Sequence, residues 1–452
     1  MRTIAFREKI MLCCVMVLVL FMVSIFLRVG TRQVLVKKMG MDNAFTRVVF
    51  CDAPALQNQD ESGRKVVSIN WTEKYPFGEQ KVEKNILMKL LQTGDYVETL
   101  IKKTEDSKIN AWCKDHLVFY RGFVEAGRSM DKVLAWDVIN PDMNVYKLQD
   151  GYLTYCYKKM NMEEHVRSVA DFEAFIRQQG GKLLYVQSPG KSNPFGDKEL
   201  ERIDYANKNA DMLLQGLREH GIAVFDLRQE MYKDMGNEGW HRAFFRTDHH
   251  WQPSTALWAA EKLARKLHVD YGVDVNFEHF SEDAYEVVHY EDYFLGSQGK
   301  KVTLAQTTAD DFDLYYPKFP TDVHIGIASL GIDERGDFDV MYDMAQVKKD
   351  FYRVSPYSAY GYGDSPEIKV HNFKNEHLQD KKIVIIRDSM VDSVLPFLAM
   401  GIKDITFLDI RHFTGSVRKY MEEFKPDIVI VMYKPSSEPI DWIEHKDKFD
   451  FR

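Results

Sequence analysis

The chain has 452 residues, of which 45% are hydrophobic and 28% charged, and its formal net charge is −8. An ordinary folded core can be buried with this composition, and the length is long for one domain but short for three. Acidic and basic residues are interspersed, without a basic tail or a Lys/Arg stripe. The sequence therefore predicts no nucleic-acid partner.

An uncharged apolar run, residues 10–27, lies close to the N-terminus. As a helix, its 18 residues would span roughly 27 Å, close to the hydrocarbon thickness of a bilayer. A cleaved signal peptide would have a shorter apolar stretch and a small-residue cleavage site, and the following LRVGTRQ offers none. We therefore predict an uncleaved, single-pass transmembrane anchor in the cell membrane.

The flanks of this run suggest how it is oriented. Basic residues lie on both sides, so the positive-inside rule does not decide the orientation. A short cytoplasmic tail (1–9) and an extracytoplasmic body fit the lengths of the two parts, and 28–110 is interpreted as a stalk and N-terminal extension. Beyond the anchor, the odd number of cysteines and the lack of a CxxC pair argue against a disulfide framework, and we assign no role to Cys51, Cys113 or Cys156.

Helical and extended patterns alternate from residue 163 onward. EEHVRSVADFEAFIRQQGG has helical periodicity and a glycine stop, and KLLYVQSP (182–189) is typical of a buried strand. A further helix leads to the strand AVFDL (223–227). Near the C-terminus, the strands 381–389, 404–410 and 426–433 again alternate with helices. The alternation predicts an α/β fold in which helices cover a parallel sheet.

The middle of the chain has a different pattern. Pro253 is typical of a helix start, and the apolar positions of the following helix form one face: 256, 257, 260, 263, 264 and 267. Residues 270–380 lose the alternation and are rich in aromatic residues and glycines. We interpret 270–380 as a β-rich or irregular insertion, lining a site or packing over the sheet, within an α/β domain of residues 111–452.

The segment TDHHW (247–251) carries the first candidate catalytic residues. In an extended segment, Asp248 and His250 share one side and His249 faces the other. An aspartate beside a histidine can fix its tautomer and stabilise the imidazolium. This pattern predicts His250 as a general base and Asp248 as the acid that orients it.

The nucleophile is expected 139 positions later, in RDS (387–389). A buried strand ends at Arg387, and Ser389 falls at the turn into the next helix, where ligands bind in open α/β sheets. Backbone N–H groups at such a turn can hold a developing oxyanion. Because a serine hydroxyl is a weak nucleophile without a base, Ser389, His250 and Asp248 together predict a catalytic triad.

Alternative interpretations exist for several of these residues. A metal site needs three or four convergent ligands, and no HxH, HExxH or acidic cluster accompanies the histidines, so we predict neither metal nor cofactor. We expect His249 and Trp251 to be structural. Ser188 is a rival serine, but Pro189 follows it directly, and Ser393 is expected at the surface or in a helix cap.

Four residues near the strand ends are predicted to contact substrate. Lys191 lies in the loop QSPGKSNPFGD, expected at the rim of the site, and Arg387 and Tyr433 lie at strand ends. Arg411 could contact substrate or form a buried ion pair with Asp409, and the ion pair is favoured.

TDHHW resembles the signature of the DHHW proteins, which are SGNH-hydrolase-like and related to the alginate O-acetylation proteins. Other segments, from residue 68 to the end, are similar to that family: INWTEKYPF, YFLGSQG, YYPKF, IIRDSM and DIVIVMY. In this chain, as in that family, the segment with the serine follows the segment with the D-x-H pair. The chain departs from ordinary SGNH hydrolases in three ways. Arg387 stands where their GDS motif has glycine, and Tyr433 stands where an asparagine is expected. The glycine and asparagine segments that usually complete the oxyanion hole are not recognisable.

The resemblance implies an SGNH-like, flavodoxin-like three-layer α/β/α domain outside the membrane, with Ser389 as nucleophile, His250 as base and Asp248 as orienting acid. It implies O-acetyl transfer to a cell-surface glycan, with acyl groups supplied by a membrane-bound O-acyltransferase. Two alternatives remain at this stage. One is an esterase that removes acetyl groups with the same triad, and the other is a non-catalytic, membrane-tethered accessory or glycan-binding protein.

Overall fold

The structure, a computed structural model, describes residues 145–148, 150–379, 381–435 and 447–452. The predicted tail, anchor and stalk lie outside the described residues, as do the domain boundary at 111 and both Cys51 and Cys113. Among the described residues, no helix has the length and apolar character needed to cross a membrane.

The described residues alternate strands and helices. In chain order, the strands are β1 (Val145–Lys147), β2 (Leu153–Tyr155), β3 (Lys182–Gln187), β4 (Ala223–Asp226), β5 (Tyr285–Phe294), β6 (Asp310–Pro317), β7 (Val323–Ile327), β8 (Ile332–Gly336), β9 (Glu367–Asn372), β10 (Ile383–Arg387), β11 (Asp404–Leu408) and β12 (Ile428–Tyr433). The α-helices are α1 (Glu163–Gln178), α2 (Ala206–Glu219), α3 (Leu227–Trp240), α4 (Pro253–Tyr271), α5 (Ser297–Val302), α6 (Val394–Gly401) and α7 (Val417–Phe424).

A large mixed sheet of eight strands, in the order β4-β3-β12-β10-β11-β9-β7-β8, forms the centre of the fold. The first five strands are parallel, as the alternating sequence pattern predicts. Strands β3, β10 and β12 are almost continuously apolar and buried, because helices pack on both faces of the sheet. The mixed α/β architecture agrees with the predicted fold class.

The segment 270–380 is β-rich, as predicted, but much of it does not pack over the sheet. Strands β9, β7 and β8 continue the sheet in its own plane, each antiparallel to its neighbour. Strand β9 pairs with the N–H and C=O groups that β11 would otherwise leave exposed at a sheet edge, β7 pairs with β9, and β8 pairs with β7. The insertion therefore extends the predicted parallel sheet with three antiparallel strands.

Side chains of alternating residues build a separate core on each face of the sheet. Helices α4 and α6 pack on one face, where the predicted apolar stripe of α4 is buried throughout. Helices α1, α2 and α7 cover the other face. Because the central strands are parallel, the carboxyl ends of β3, β10 and β12 meet at one edge of the sheet.

Candidate active site

The loop between Phe244 and Trp251 holds the D-x-H pair at this edge. The two aromatic residues form a bridge across its base, and the Phe245 N–H donates to the His250 carbonyl at 3.1 Å. All three aromatic side chains are buried, and the Trp251 indole N–H donates to Ser393 Oγ at 3.0 Å. Trp251 is therefore a core residue, as expected, and it anchors the loop ahead of α4.

Asp248 holds the histidine through a tight turn instead of an extended segment. Its Oδ1 accepts the His250 backbone N–H at 3.0 Å and lies 2.5 Å from His250 Nδ1. This turn makes the prediction that His249 faces away wrong. The two imidazole rings lie 3.8 Å apart, and His249 Nδ1 is 3.5 Å from the Asp248 carboxylate.

Asp248 receives a further hydrogen bond from the start of α5. The Ser297 backbone N–H donates to Asp248 Oδ2 at 2.5 Å. Ser297 Oγ also lies 3.1 Å from His249 Nδ1, which gives His249 the structural hydrogen bond predicted for it. A Cβ at Gly296 would overlap the Asp248 side chain, so glycine permits this close approach.

Ser389 completes the line of polar atoms. It begins a short 3₁₀ turn after β10, and its Oγ lies 2.8 Å from His250 Nε2. Asp388 caps the turn by accepting the Met390 N–H at 3.1 Å, and its other oxygen accepts the Lys434 N–H at 2.9 Å. The end of β12 is thus tied to the turn that carries Ser389.

The electrostatics of the site keep the aspartate ionised and one histidine neutral. Burial favours a protonated Asp248, but the charges of His250 and His249, together with its hydrogen bonds, hold the pKa of that carboxyl well below its usual value. Burial, and then the charges of His250 and Lys434, hold the pKa of His249 well below 6.5. An ionised Asp248 can stabilise an imidazolium on His250.

Tyr357 is a site residue that the sequence analysis did not identify. Its ring stacks on His250 with centroids 3.9 Å apart and an interplanar angle of 11°. Its hydroxyl donates to the Ser389 carbonyl at 2.8 Å and lies 3.2 Å from that of Met390. The signal in the sequence was only the aromatic-rich stretch SPYSAYGYGDSP, which does not say which tyrosine faces the site.

Two of the predicted substrate residues are enclosed in the protein. The Arg387 guanidinium is fully buried, pairs with Asp392 and donates to the Gly363 and Ser365 carbonyls. The Tyr433 side chain is also buried, and its hydroxyl donates to a backbone carbonyl at 2.5 Å. The expectation that either contacts substrate is corrected, because both point into the interior.

Lys191 and Arg411 have structural partners as well. Lys191 is buried instead of lying at the rim, and its ammonium donates to the Leu153 and Arg246 carbonyls and to Gln298 Oε1. Burial lowers the pKa of Lys191 to about 7. Arg411 forms the ion pair with Asp409 that was the favoured interpretation and also pairs with Asp364 at 2.8 Å.

The rival serines lie in the interior. Ser188 is fully buried, and its hydroxyl has no hydrogen-bond partner among the described residues. Ser393, expected at the surface or in a helix cap, stands at the N-cap position of α6 but makes no side-chain capping bond. It is buried, accepts the Trp251 indole N–H and lies 3.1 Å from the Tyr357 hydroxyl. Of the three serines, only Ser389 faces His250.

Two groups of acidic and histidine side chains bring their ligand atoms within 4.8 Å of one another: Asp248, His249 and His250, and Asp364, Asp409 and His412. In the first group, Asp248 already accepts from His250 and from a backbone N–H. In the second group, Arg411 occupies both carboxylates. These hydrogen bonds compete with metal binding in each group.

A cavity adjoins the triad on the His249 side. Its walls come from the β3 and β12 ends, β2, α5 and the start of α2, and include Tyr155, Gly190, Lys191, His249, Gln298 and Lys434. The cavity thus lies beside the hydrogen-bonded Asp–His–Ser line and meets it at His249.

Residues 148–293 match the family model of the SGNH hydrolase-like domain of the acetyltransferase AlgX. The predicted resemblance to SGNH-hydrolase-like proteins related to alginate O-acetylation is confirmed by this match. No curated protein matches the chain.

Solved structures share the fold at low sequence identity. PatB1 of Bacillus cereus, solved with a sulfonyl adduct, is 21% identical, with a TM-score of 0.55 over 70% of this chain and 100% of that chain. A second structure of PatB1 is 20% identical, with a TM-score of 0.53 over 68% and 100%. A DHHW family protein from Eubacterium siraeum is 16% identical, with a TM-score of 0.48 over 64% and 90%. The likeness to PatB1 concerns the fold.

Proposed function

We propose that this protein is an SGNH-like serine acyltransferase that transfers O-acetyl groups to a cell-surface glycan. The observation that carries the proposal is the continuous line from Asp248 through His250 to Ser389, with contacts of 2.5 Å and 2.8 Å. Those distances lie within the reach required for proton transfer from a nucleophile to its base. The similarity of residues 148–293 to a domain of an acetyltransferase supports the same chemistry.

The reaction would run through an acyl-serine. Ser389 Oγ attacks the ester carbonyl carbon while its proton moves to His250 Nε2, and the carbonyl oxygen becomes an oxyanion. The oxyanion collapses, the C–O bond to the leaving group breaks, and His250 returns the proton to the leaving oxygen. A glycan hydroxyl then repeats these steps on the acyl-serine, with Asp248 stabilising the imidazolium each time.

The non-catalytic alternative receives less support from this geometry. A His250–Ser389 separation of about 5 Å or more would have favoured an accessory or glycan-binding protein. The observed 2.8 Å favours catalysis. The unusual Arg387 belongs to the interior, where its pairing with Asp392 braces the turn that follows β10.

The cellular setting is also part of the proposal. We infer a single-pass anchor at residues 10–27, an SGNH-like, flavodoxin-like domain on the outer side, and a membrane-bound O-acyltransferase partner that supplies acyl groups. These inferences rest on the apolar run and on the family resemblance. An alkaline-phosphatase fusion after residue 452 tests the orientation, because that enzyme should be active only on the outer side of the membrane. Activity of a cytoplasmic reporter fused at the same position, without alkaline-phosphatase activity, would contradict the proposed orientation.

The experiment that tests catalysis compares Ser389→Ala with Ser188→Ala. Both remove one buried or half-buried hydroxyl, but only Ser389 faces the base. Ser389→Ala should abolish hydrolysis of p-nitrophenyl acetate, acetyl transfer to a sugar acceptor and labelling by phenylmethylsulfonyl fluoride, whereas Ser188→Ala should retain all three. Retained turnover in Ser389→Ala would overturn the assignment.

The direction of the reaction needs a cellular measurement. Deletion of the gene should lower the O-acetyl content of the surface glycan if the protein is a transferase. An increase would instead assign the same triad to a deacetylating esterase, in which water resolves the acyl-serine.

A further inference from the structure

The proposed reaction needs more oxyanion stabilisation than the Ser389 turn provides. Among the described residues, the Ser389 N–H has no hydrogen-bond acceptor, so it is free for an oxyanion, but the next N–H, that of Met390, is occupied by Asp388. The Arg411 guanidinium, at the same edge of the sheet, is engaged by Asp409 and Asp364. Ester-transferring enzymes use preorganised donors for this charge.

The register between β10 and β12 brings Lys434 close to the turn that carries the nucleophile. Arg387 of β10 pairs with Met432 of the adjacent parallel strand β12, so the segments that follow the two strands, with Ser389 in one and Lys434 in the other, leave the sheet next to each other. The hydrogen bond from the Lys434 N–H to Asp388, at 2.9 Å, fixes that neighbourhood. The Lys434 backbone is therefore attached to the nucleophile's own turn.

The side chain of Lys434 leaves the strand on the face from which the histidine approaches. Met432 packs in the core formed with α4, and Tyr433 packs in the core on the opposite face. Lys434 is the first residue after β12, and continued alternation of the strand would turn its side chain to the face of Met432. Consistently, Lys434 lines the cavity beside His249.

The ammonium of Lys434 is available to donate hydrogen bonds to a ligand. The side chain is half-buried, and within the described part of the chain no carbonyl, carboxylate or hydroxyl accepts a hydrogen bond from its Nζ. By contrast, the ammonium of Lys191 in the same wall already has three acceptors. A partly desolvated cation with unused donors is suited to a negative charge that forms only during reaction.

We propose that Lys434 donates a hydrogen bond from Nζ to the oxyanion that forms when Ser389 attacks an ester carbonyl, alongside the Ser389 N–H. This inference rests on the proposed function, because it requires an acyl-serine reaction.

The charges around Lys434 make its protonation testable. Burial lowers the pKa of Lys434 to about 8, partly offset by nearby carboxylates. The charged and titratable groups that face it come from the loop, the turn and the neighbouring strands: Asp248, His249, Asp364, Asp388, Arg411 and Lys448. A neutral amine stabilises an oxyanion less well than an ammonium, so activity should fall as the pH rises through about 8.

The first test uses Lys434→Met and Lys434→Arg with p-nitrophenyl acetate, a small neutral ester that needs no glycan contact. Lys434→Met should lower kcat/KM by about 10²-fold, the usual effect of losing one oxyanion donor. Lys434→Arg should recover part of this loss and should abolish the fall in rate above pH 8, since arginine stays protonated. Rates are corrected with Ser389→Ala at each pH.

Lys262→Met is the matched control. It removes another half-buried ammonium, which pairs with Asp234 at 2.7 Å and with Glu230 at 3.5 Å and has no contact with the triad. We expect its kcat/KM to stay within about threefold of wild type. A similar loss in both lysine variants would overturn the specific role of Lys434.

The other outcomes separate the two proposals. If phenylmethylsulfonyl fluoride does not label Ser389 and the wild type has no esterase activity, the proposed function itself fails. If Ser389 is labelled but Lys434→Met hydrolyses the small ester like wild type, only the oxyanion role fails. Loss of glycan transfer alone would assign Lys434 to acceptor binding and overturn the inference. If Lys434→Met does not fold, the pH dependence of kcat/KM in the wild type is the deciding measurement. A wild-type rate that does not fall above pH 8 would overturn the oxyanion role of Lys434.

Discussion

Removal of one hydroxyl, in Tyr357→Phe, tests whether the nucleophile's turn is held from the 270–380 segment. The hydroxyl is buried and contacts the Ser389 carbonyl at 2.8 Å, the Met390 carbonyl at 3.2 Å and Ser393 Oγ at 3.1 Å. Phenylalanine keeps the ring that stacks on His250 and leaves these groups without their shared partner. The expected cost is about 1–3 kcal/mol of unfolding free energy, as for an unsatisfied buried polar group.

The same change should also lower activity. Without the hydroxyl, the Ser389 carbonyl loses a constraint, and small displacements of a nucleophile reduce rates strongly. We expect kcat/KM for p-nitrophenyl acetate to fall about tenfold, equivalent to about 1.4 kcal/mol of transition-state stabilisation. The assay pairs steady-state kinetics with urea unfolding of the same preparation.

Tyr360→Phe provides the control for Tyr357→Phe. The Tyr360 side chain is equally buried, and its hydroxyl donates to the Asp313 carbonyl at 2.8 Å, away from the triad. It should lose a similar amount of stability, about 1–2 kcal/mol, and no activity. Unchanged kcat/KM in Tyr357→Phe, or an equal loss of activity in Tyr360→Phe, would refute the reasoning.

Three further predictions concern charged residues. Asp248→Asn should lower kcat by about 10³–10⁴-fold with the fold retained by circular dichroism, because the base loses its orienting carboxylate; a loss under tenfold would contradict the triad. Arg387→Met should lower the unfolding free energy, measured in urea, by about 3–5 kcal/mol, because it leaves Asp392 buried without its cation. The double variant with Asp392→Leu should recover most of that free energy. No recovery would contradict the ion-pair explanation. Burial opposes ionisation of Asp364, but Arg411 and Arg387 hold its pKa at about 2. The stabilising effect of the ionised Asp364 is therefore complete above about pH 4 and is lost as the pH falls toward 2. Asp364→Asn should flatten the dependence of the unfolding free energy on pH over that interval, and an unchanged dependence would exclude the Asp364–Arg411 pair as a source of acid sensitivity.

Local patterns in the sequence determined the main elements and the identity of the polar triplet. The apolar runs of β3, β10 and β12 predict buried parallel strands, since a strand covered on both faces has no polar side. The apolar face of α4 follows from helical periodicity alone. These inferences need no knowledge of distant contacts, because they depend on the residue's own neighbours in the chain.

Other features were decided only by the tertiary structure. His249 lies beside the triad because Asp248 closes a turn, and the alternation expected of an extended segment does not apply there. Lys191 is enclosed because its acceptors come from segments 38 or more residues away. Arg387 is enclosed because the Gly363 and Ser365 carbonyls, 24 and 22 residues away, accept from its guanidinium.

The contribution of Tyr357 and Lys434 to the site also depends on tertiary contacts. Tyr357 reaches Ser389 from 32 residues earlier in the chain, and Lys434 reaches the turn at Asp388 from 46 residues later. A side chain's sequence neighbours set its tendency toward helix or strand, but they do not set what it faces once the sheet is assembled. The sequence by itself determined the strands, the helices and the residue types available for acyl transfer, and the packing of distant segments decided which of those side chains face Ser389.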